Sequence, residues 1–484
     1  MPQPRYVSFV SPSRSSATKA KYSTTHAATM ALLFRDDIEP NLRHGNATVP
    51  VAVLQDAPAD IAIGVEFKFV VPFLTAGAVD PCPGDSRPIA YTLHADSPDR
   101  LQDQAYQFIV DIVQAWAKQP AISIKDVKAS SWQESDFWSD RWIVKKSNSA
   151  EPSPEERLLP GLSWAALEIS SPRMPAHDLR TPAALSAVVR ALSAHCRITV
   201  NYSCEMHTHL GRVDGKPFAL SSLKSLAALC WLMEPALRLL KDPLSPNFQH
   251  AYTWSSPLQE KSRLATMLAE KEGNKPQKQK RDHRVSACCG GGEVRLRSKA
   301  RVRTEPKVMT ERDKAALRAI SSAVDHQALG KLLSGETKPY RRLGFNFSAF
   351  GLEDERAGRS PRSVEVRFLE GCWGEREVLG WAEVCIALAV LAVEEPRDRF
   401  VKALTRLTRC NQRWAQNESR LTARAGQQQQ HQQGEEQQQK QQRQQQQGAG
   451  AVRPADQLKA VMSMLGVSTE AAEVFQSKVN DIHR

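Results

Sequence analysis

The sequence predicts an α+β fold in which helices pack on a largely antiparallel sheet, and two periodicities support this prediction. Apolar residues recur three and four apart, as in helices with a buried face, in residues 99–118, 182–196, 217–241 and 375–394. Apolar and polar residues alternate, as in strands, in residues 61–71, 122–129, 141–146, 162–170, 197–210, 341–350 and 363–369. Strands and helices do not alternate strictly and several strands have a polar face, which favours an antiparallel sheet over a doubly wound parallel one.

Composition is that of a globular protein with a sizeable core, since 41% of the 484 residues are hydrophobic and 24% are charged. The longest fully apolar run, Val384 to Val393, is about half of the ~20 residues needed to cross a bilayer, so it predicts a buried helix and no membrane contact. Nine cysteines without a CxxC pair exclude a disulfide framework and a structural zinc module. We therefore expect a reducing compartment and a cytoplasmic location.

The positive charge is concentrated in one segment. The net charge is +12, and residues 271–303 alone contain eleven basic and three acidic residues. A nucleic-acid-binding face would spread Lys and Arg over folded elements, so nucleic acid is not a favoured partner. The alternative, a nucleic-acid-associated protein that uses this segment, predicts an affinity that falls with salt.

Low-complexity and aperiodic segments divide the chain. We predict a disordered tail over 1–57, a domain over 58–416 with a disordered basic insertion at 271–304, a Gln-rich linker over 417–454 and a short helical tail over 455–484. Pro454 to Gly466 and Ser468 to Ile482 have the helical period, with Ser468 as an N-cap. An acid-free N-terminus and the basic patch Lys278–Arg281 leave mitochondrial and nuclear locations open as alternatives.

Ionisable residues occupy alternate positions on four predicted strands, and side chains two residues apart share one face of a strand. The residues are Glu66 and Lys68, Glu168, the set Glu205, His207 and His209, and the pair Glu365 and Arg367. If the four strands belong to one sheet, these groups converge on one surface, which suits divalent metals and phosphate oxygens. The alternative is that each is a solvated charge on the outer face of its own strand.

The order of these motifs resembles the fungal amidoligase family, carboxylate–amine ligases related to glutamine synthetase and glutamate–cysteine ligase. The resemblance covers roughly residues 58–263 and 340–395. It is carried by Gly64-Val-Glu66, Trp142-Ile-Val, Leu167-Glu-Ile-Ser-Ser-Pro172, Cys204-Glu-Met-His-Thr-His-Leu-Gly211, Cys230-Trp-Leu-Met-Glu234, Val364-Glu-Val-Arg-Phe-Leu-Glu-Gly371 and a helix around Trp381.

The resemblance implies a glutamine-synthetase-like sheet with a cupped active face that binds ATP and magnesium. It implies that a small-molecule or peptide carboxylate is activated as an acyl phosphate, which an amine then attacks. It assigns Glu66, Glu168 and His207 to the metal, His209, Glu365 and Arg367 to the nucleotide, and catalytic roles to Arg367 and His209.

Four features depart from the family pattern. Lys68 and Ser147 replace acidic residues, Glu205 replaces a glycine, and residues 242–252 lack an arginine although Asn247 and Tyr252 remain. A cation at position 68 would repel a metal and can take its place. These departures favour the alternative function, a non-catalytic descendant of the fold that binds a nucleotide or a peptide.

Overall fold

A computed structural model describes residues 56–131, 133–241, 257–273, 309–336, 343–351, 362–394, 398–411 and 453–482. The predicted disordered tail before residue 56, the basic insertion beyond residue 273 and the Gln tract lie outside the described residues, as do Asn247 and Tyr252.

Nine strands in the described ranges form one mixed, mostly antiparallel sheet. They are β1 Ile61–Thr75, β2 Ala90–Thr92, β3 Ala121–Ser123, β4 Trp142–Lys146, β5 Leu162–Ser170, β6 Met174–Pro175, β7 Glu205–Arg212, β8 Phe345–Asn346 and β9 Val364–Glu370. Their order is β3-β4-β5-β1-β7-β9-β8, with β2 and β6 also paired to β1. The long strand β1 is therefore central, and β5 and β7 flank it in antiparallel register.

The helices in the described residues surround this sheet. They are α1 Pro98–Ala115, α2 Ile124–Ala129, α3 Pro154–Arg157, α4 Arg180–His195, α5 Leu220–Leu237, α6 Leu258–Lys261, α7 Arg263–Gly273, α8 Glu311–Ser321, α9 His326–Leu332, α10 Ser348–Gly351, α11 Glu375–Val393, α12 at 398–411, α13 Pro454–Leu465 and α14 Thr469–Ile482. The structure confirms the predicted sheet of mainly antiparallel strands packed by helices. Among the described helices, none combines the length and apolar content that a membrane-spanning segment requires.

One face of the sheet forms the main core. Alternate residues of β1, such as Val65, Phe67 and Phe69, are almost fully buried and belong to the same apolar cluster as α1, α4, α5 and α11. The predicted buried helix over Val384–Val393 is the second half of α11. The other residues of β1, including Glu66 and Lys68, face away from this core because side chains alternate along a strand.

Three predicted strands are wrong over much of their length. Residues 124–129 form α2, because Ser123 accepts a hydrogen bond from the Asp126 amide and caps a helix. Strand β7 begins at Glu205 rather than at 197, because Asn201 Oδ1 accepts the Ser203 amide and turns the chain before it. Strand β8 contains two residues and leads into α10, with Asn346 Oδ1 accepting the Ser348 amide; residues 341–342 lie outside the described ranges.

The two C-terminal helices form as the periodicity predicts and pack on the domain. Gly466 ends α13 with φ +86°, a conformation that glycine adopts without strain, and Ser468 Oγ accepts the Ala471 amide near the start of α14. Phe475 of α14 contacts Trp381 of α11 edge to face, with ring centroids 5.9 Å apart, and both residues are fully buried. Residues 454–482 thus contribute to the core of the domain.

Candidate functional site

A cavity of about 570 Å³ opens on the face of the sheet opposite the main core. All six residues to which the sequence assigned a site role line it: Glu66, Glu168, His207, His209, Glu365 and Arg367. Lys68 lines it as well. The structure therefore places these groups together, on a face that is enclosed rather than solvated.

Strand register explains the convergence. Glu66 on β1 is paired with His207 on β7 and with Ser170 on β5, and Lys68 is paired with Glu168. His209 is paired with Glu365 on β9. A register shift in β7 between Met206 and Thr208 leaves His207 without a direct partner on β9, as a β-bulge does. The bulge lets the His207 ring lie among carboxylates from three positions.

His207 is the centre of the buried network and is 1% exposed. Its Nε2 lies 2.6 Å from Glu205 Oε2, and its Nδ1 lies 2.9 Å from Glu365 Oε1 and 3.2 Å from Glu66 Oε2. Carboxylates at both ring nitrogens favour the protonated ring, in which both nitrogens donate. Burial and the nearby cations Arg367 and Lys68 oppose this state, but Glu205 and Glu365 outweigh them and raise the pKa of His207 to about 9.

The assignments of His207 and Glu168 as metal ligands stay predictions, and in this structure both ring nitrogens of His207 contact carboxylates. The ring fixes two carboxylates that face the cavity. Burial would raise the pKa of Glu66, but its contacts with His207 and His209 hold that pKa well below the usual range. Glu365 is held ionised in the same way by Arg367 and His207, against the effect of burial on its pKa.

A different group of residues has the geometry of a metal site. One ligand atom from each of Glu66, His209 and Glu365 lies within 4.8 Å of the others. His209 Nδ1 is 3.0 Å from Ser363 Oγ, which orients the ring, while Nε2 lies 3.4 Å from Glu66 Oε1 and has no hydrogen-bond partner in the described structure. Two carboxylates and an imidazole nitrogen at this spacing suit a divalent cation.

Lys68 of β1 and Glu205 of β7 form a buried ion pair. The Lys68 Nζ lies 2.8 Å from Glu205 Oε2, and the two side chains are 9% and 0% exposed. Burial would raise the pKa of Glu205, but His207, Lys68 and Arg367 lower it to about 2. The carboxylate of Glu205 is thus surrounded by three cations.

Arg367 and Lys145 neutralise the remaining carboxylates. Arg367 Nη1 lies 2.5 Å from Glu365 Oε1. Lys145 Nζ lies 2.9 Å from Glu134 Oε1 and 3.2 Å from Glu168 Oε1. Burial and the neighbouring Glu66 carboxylate raise the pKa of Glu168, so Glu168 is the cavity carboxylate most readily protonated among those described here.

Two further cations at the cavity, Lys146 and Arg173, have no carboxylate partner in the described ranges. Arg173 follows the end of β5, and its amide donates to the Trp138 carbonyl at 2.6 Å. Its guanidinium passes Gly215, where φ is +75° and an added Cβ would lie 2.2 Å from Arg173 Nη1. The absence of a side chain at Gly215 therefore leaves room for the Arg173 guanidinium in this position. Within the described lining, five Lys and Arg residues face four Glu residues, which favours an anionic ligand.

Sequence reasoning missed four residues of the site: Lys145, Arg173, Asn346 and Ser363. Asn346 Nδ2 donates to Glu365 Oε2 at 2.6 Å. Lys145 and Asn346 had a signal in the sequence, because Lys145 alternates with Val144 in β4 and Asn346 lies between the buried Phe345 and Phe347. Ser363 also had a signal, since the predicted strand over 363–369 puts it on the same face as Glu365; Arg173 lies between strands, where alternation gives no information.

Comparison with known proteins identifies no relative of this chain: no family model matches it, no curated protein matches it, and no solved structure matches its fold.

Proposed function

We propose that this protein is an ATP- and magnesium-dependent carboxylate–amine ligase with a glutamine-synthetase-like fold. The observation that carries the proposal is a cavity faced by the carboxylate–imidazole trio and by Lys146 and Arg173, two cations without a carboxylate partner among the described residues. Phosphoryl transfer depends on metal and cationic groups around phosphate oxygens more than on covalent chemistry from the protein. This cavity offers both kinds of group.

Glu66 and Glu365 would hold the magnesium ion through carboxylate oxygens, the donors it prefers, with His209 Nε2 beside them as a further ligand atom. When bound, the ion offsets negative charge on phosphate oxygens. His207 donates to Glu66 and Glu365 and keeps both carboxylates ionised and oriented. Ser363 and Asn346 orient His209 and Glu365.

The Lys and Arg side chains that line the cavity would bind the phosphates and the acid substrate. Arg367 is buried, its Nη1 is held by Glu365, and its Nε has no partner in the described structure. In the proposed reaction a carboxylate oxygen of the substrate attacks the terminal phosphorus of ATP and ADP leaves. The amine nitrogen then attacks the acyl carbon, loses a proton, and phosphate leaves. Arg367 and Arg173 would neutralise the charge that moves between these groups.

A second candidate is a non-catalytic module that binds a nucleotide or peptide. The specific observation in its favour is the pairing of Glu205 with Lys68, which places a fixed ammonium among the acidic groups. This candidate shares ATP binding with the ligase and differs in turnover.

The deciding experiment follows ATP binding by calorimetry with and without magnesium, and then ADP release with pools of carboxylates and amines. With an acid labelled by heavy oxygen in its carboxylate, a ligase transfers one labelled oxygen to the released phosphate, because the acyl phosphate forms on that oxygen. Binding of ATP without ADP release from any pool would favour the non-catalytic module. Absence of ATP binding would contradict the ligase proposal.

We place the reaction in a reducing, cytoplasmic compartment, because the seven described cysteines are all free thiols and six of them are at least partly buried. The proposed partners are a small-molecule or peptide carboxylate and an amine.

A further inference from the structure

The carboxylates around His207 fall into two sets, of which Glu205 lies beneath the cavity lining. Glu66 and Glu365 belong with His209 to the trio whose ligand atoms lie within 4.8 Å of one another. Glu205 lies on the other side of the His207 ring, bonded to Nε2 at 2.6 Å, while Glu66 and Glu365 face Nδ1. The His207 ring therefore separates the trio from Glu205.

The Glu205 set already has a cation. Lys68 Nζ lies 2.8 Å from Glu205 Oε2, and Lys68 is paired with Glu168 in the register of β1 and β5. Both side chains of the ion pair are at least nine-tenths buried, so solvent does not screen this ammonium. Glu168 has its own cation, Lys145, at 3.2 Å.

Glu205 nevertheless retains an unused acceptor. Its Oε1 is buried and has no hydrogen-bond partner in the described structure. A carboxylate with a free buried oxygen would attract a divalent ion if its neighbour were neutral, whereas an ammonium next to it repels such an ion.

We propose that the Lys68 ammonium is the permanent counter-cation of Glu205, so that the site takes one divalent metal ion, at Glu66, His209 and Glu365, and no second one beside Glu205. The inference rests on the proposed function and deepens it, since a protein-supplied cation then does the work of a second metal at the phosphates. Removing the charge of Lys68 should open the second position.

The test counts bound Mn²⁺ per chain by electron paramagnetic resonance on full-length, metal-depleted protein, with Mn²⁺ alone and with a non-hydrolysable ATP analogue. Wild type should bind one Mn²⁺, and His209→Ala should lose it. Lys68→Gln should bind two, and Lys68→Gln combined with Glu205→Gln should return to one. Lys125→Gln, which removes an exposed lysine paired with Asp103 outside this cavity, is the matched control and should bind one.

Two Mn²⁺ ions in the wild type, or none, would overturn the inference, as would a folded Lys68→Gln variant that binds one. If Lys68→Gln fails to fold, the wild-type count still decides, together with Lys68→Arg, which keeps the charge and should bind one. The proposed function is judged separately: a protein that shows the predicted Mn²⁺ counts but binds no ATP analogue is not an ATP-dependent ligase.

Discussion

Lys68 and Glu205 are 137 residues apart in the chain and form a buried ion pair with Nζ and Oε2 2.8 Å apart. The two residues lie on different strands, and the cation on β1 is balanced by the carboxylate on β7. The pair therefore adds no net charge to the sheet face that lines the cavity.

Breaking this pair should destabilise the protein. Lys68→Met removes one of the three cations around the buried Glu205 carboxylate and leaves His207 and Arg367, so we expect it to lower the free energy of unfolding by about 1–3 kcal/mol. The double variant Lys68→Met with Glu205→Gln should lose less free energy of unfolding than the two single variants lose together. The expected coupling energy is about 1–3 kcal/mol. Urea denaturation of the four proteins measures this. The exposed pair Lys125 and Asp103 is the control, with an expected coupling below about 1 kcal/mol. Equal coupling in the two pairs would contradict the prediction.

Ser363 should control metal affinity without being a ligand. Its Oγ lies 3.0 Å from His209 Nδ1 and orients the ring so that Nε2 faces Glu66. We expect Ser363→Ala to weaken Mn²⁺ binding about 10- to 100-fold, as the loss of a group that orients a ligand does. Calorimetric titration measures the affinity. Ser149→Ala, at an exposed serine that also lines the cavity, should have little effect. If Ser363→Ala and Ser149→Ala bind Mn²⁺ with the same affinity, Ser363 does not control metal binding.

Much of the site could be predicted because period-two alternation is a local property. Glu66, His207, His209 and Glu365 lie on strands whose opposite face is apolar, and the face of each side chain follows from its position. The partners of these residues could not be predicted. The pairing of Lys68 with Glu205 depends on strand register, and the contacts of His207 depend on a bulge that leaves no mark in the periodicity.

The failed strand predictions have one physical cause. In each, a short polar side chain bonds to a nearby backbone amide and bends the chain: Ser123 before α2, Asn201 before β7 and Asn346 before α10. The alternation of apolar and polar residues continues through such positions. The pattern therefore predicts strands that are longer than the ones the structure contains.

Arg173 should contribute to anion binding. Its guanidinium lines the cavity and has no partner in the described ranges. Since a hydrogen bond to a charged group contributes ~1.5–3 kcal/mol, we expect Arg173→Met to weaken the binding of ATP or tripolyphosphate roughly 10- to 100-fold. The affinity should also become less sensitive to salt. Arg190→Met removes an exposed arginine on α4 and serves as the control. Unchanged affinity in Arg173→Met would show that this arginine does not contact the anion.

Protonation of His207 should make stability depend on pH. Its pKa in the folded protein is about 9 against an ordinary value of 6.5, so its stabilising contribution is complete below 6.5 and is lost as the pH rises through 9. The shift corresponds to about 3 kcal/mol. In metal-free protein, the stability difference between wild type and His207→Gln should therefore shrink from pH ~6 to pH ~10. The charged groups that face the ring are Glu66 and Lys68 of β1, Glu205 of β7, and Glu365 and Arg367 of β9. A constant difference would show that the ring is neutral.

The C-terminal helices should be needed for the stability of the domain. Phe475 is fully buried against Trp381, and both belong to the main apolar cluster. Replacing a buried phenylalanine by alanine leaves a cavity, so Phe475→Ala should lower the free energy of unfolding by about 3–5 kcal/mol. Ser477→Ala, an exposed change two residues later on α14, should alter it by less than about 0.5 kcal/mol. Thermal and urea unfolding measure both. If Phe475→Ala behaves like Ser477→Ala, α14 does not pack on α11 in solution, and residues 454–482 are a tail outside the core.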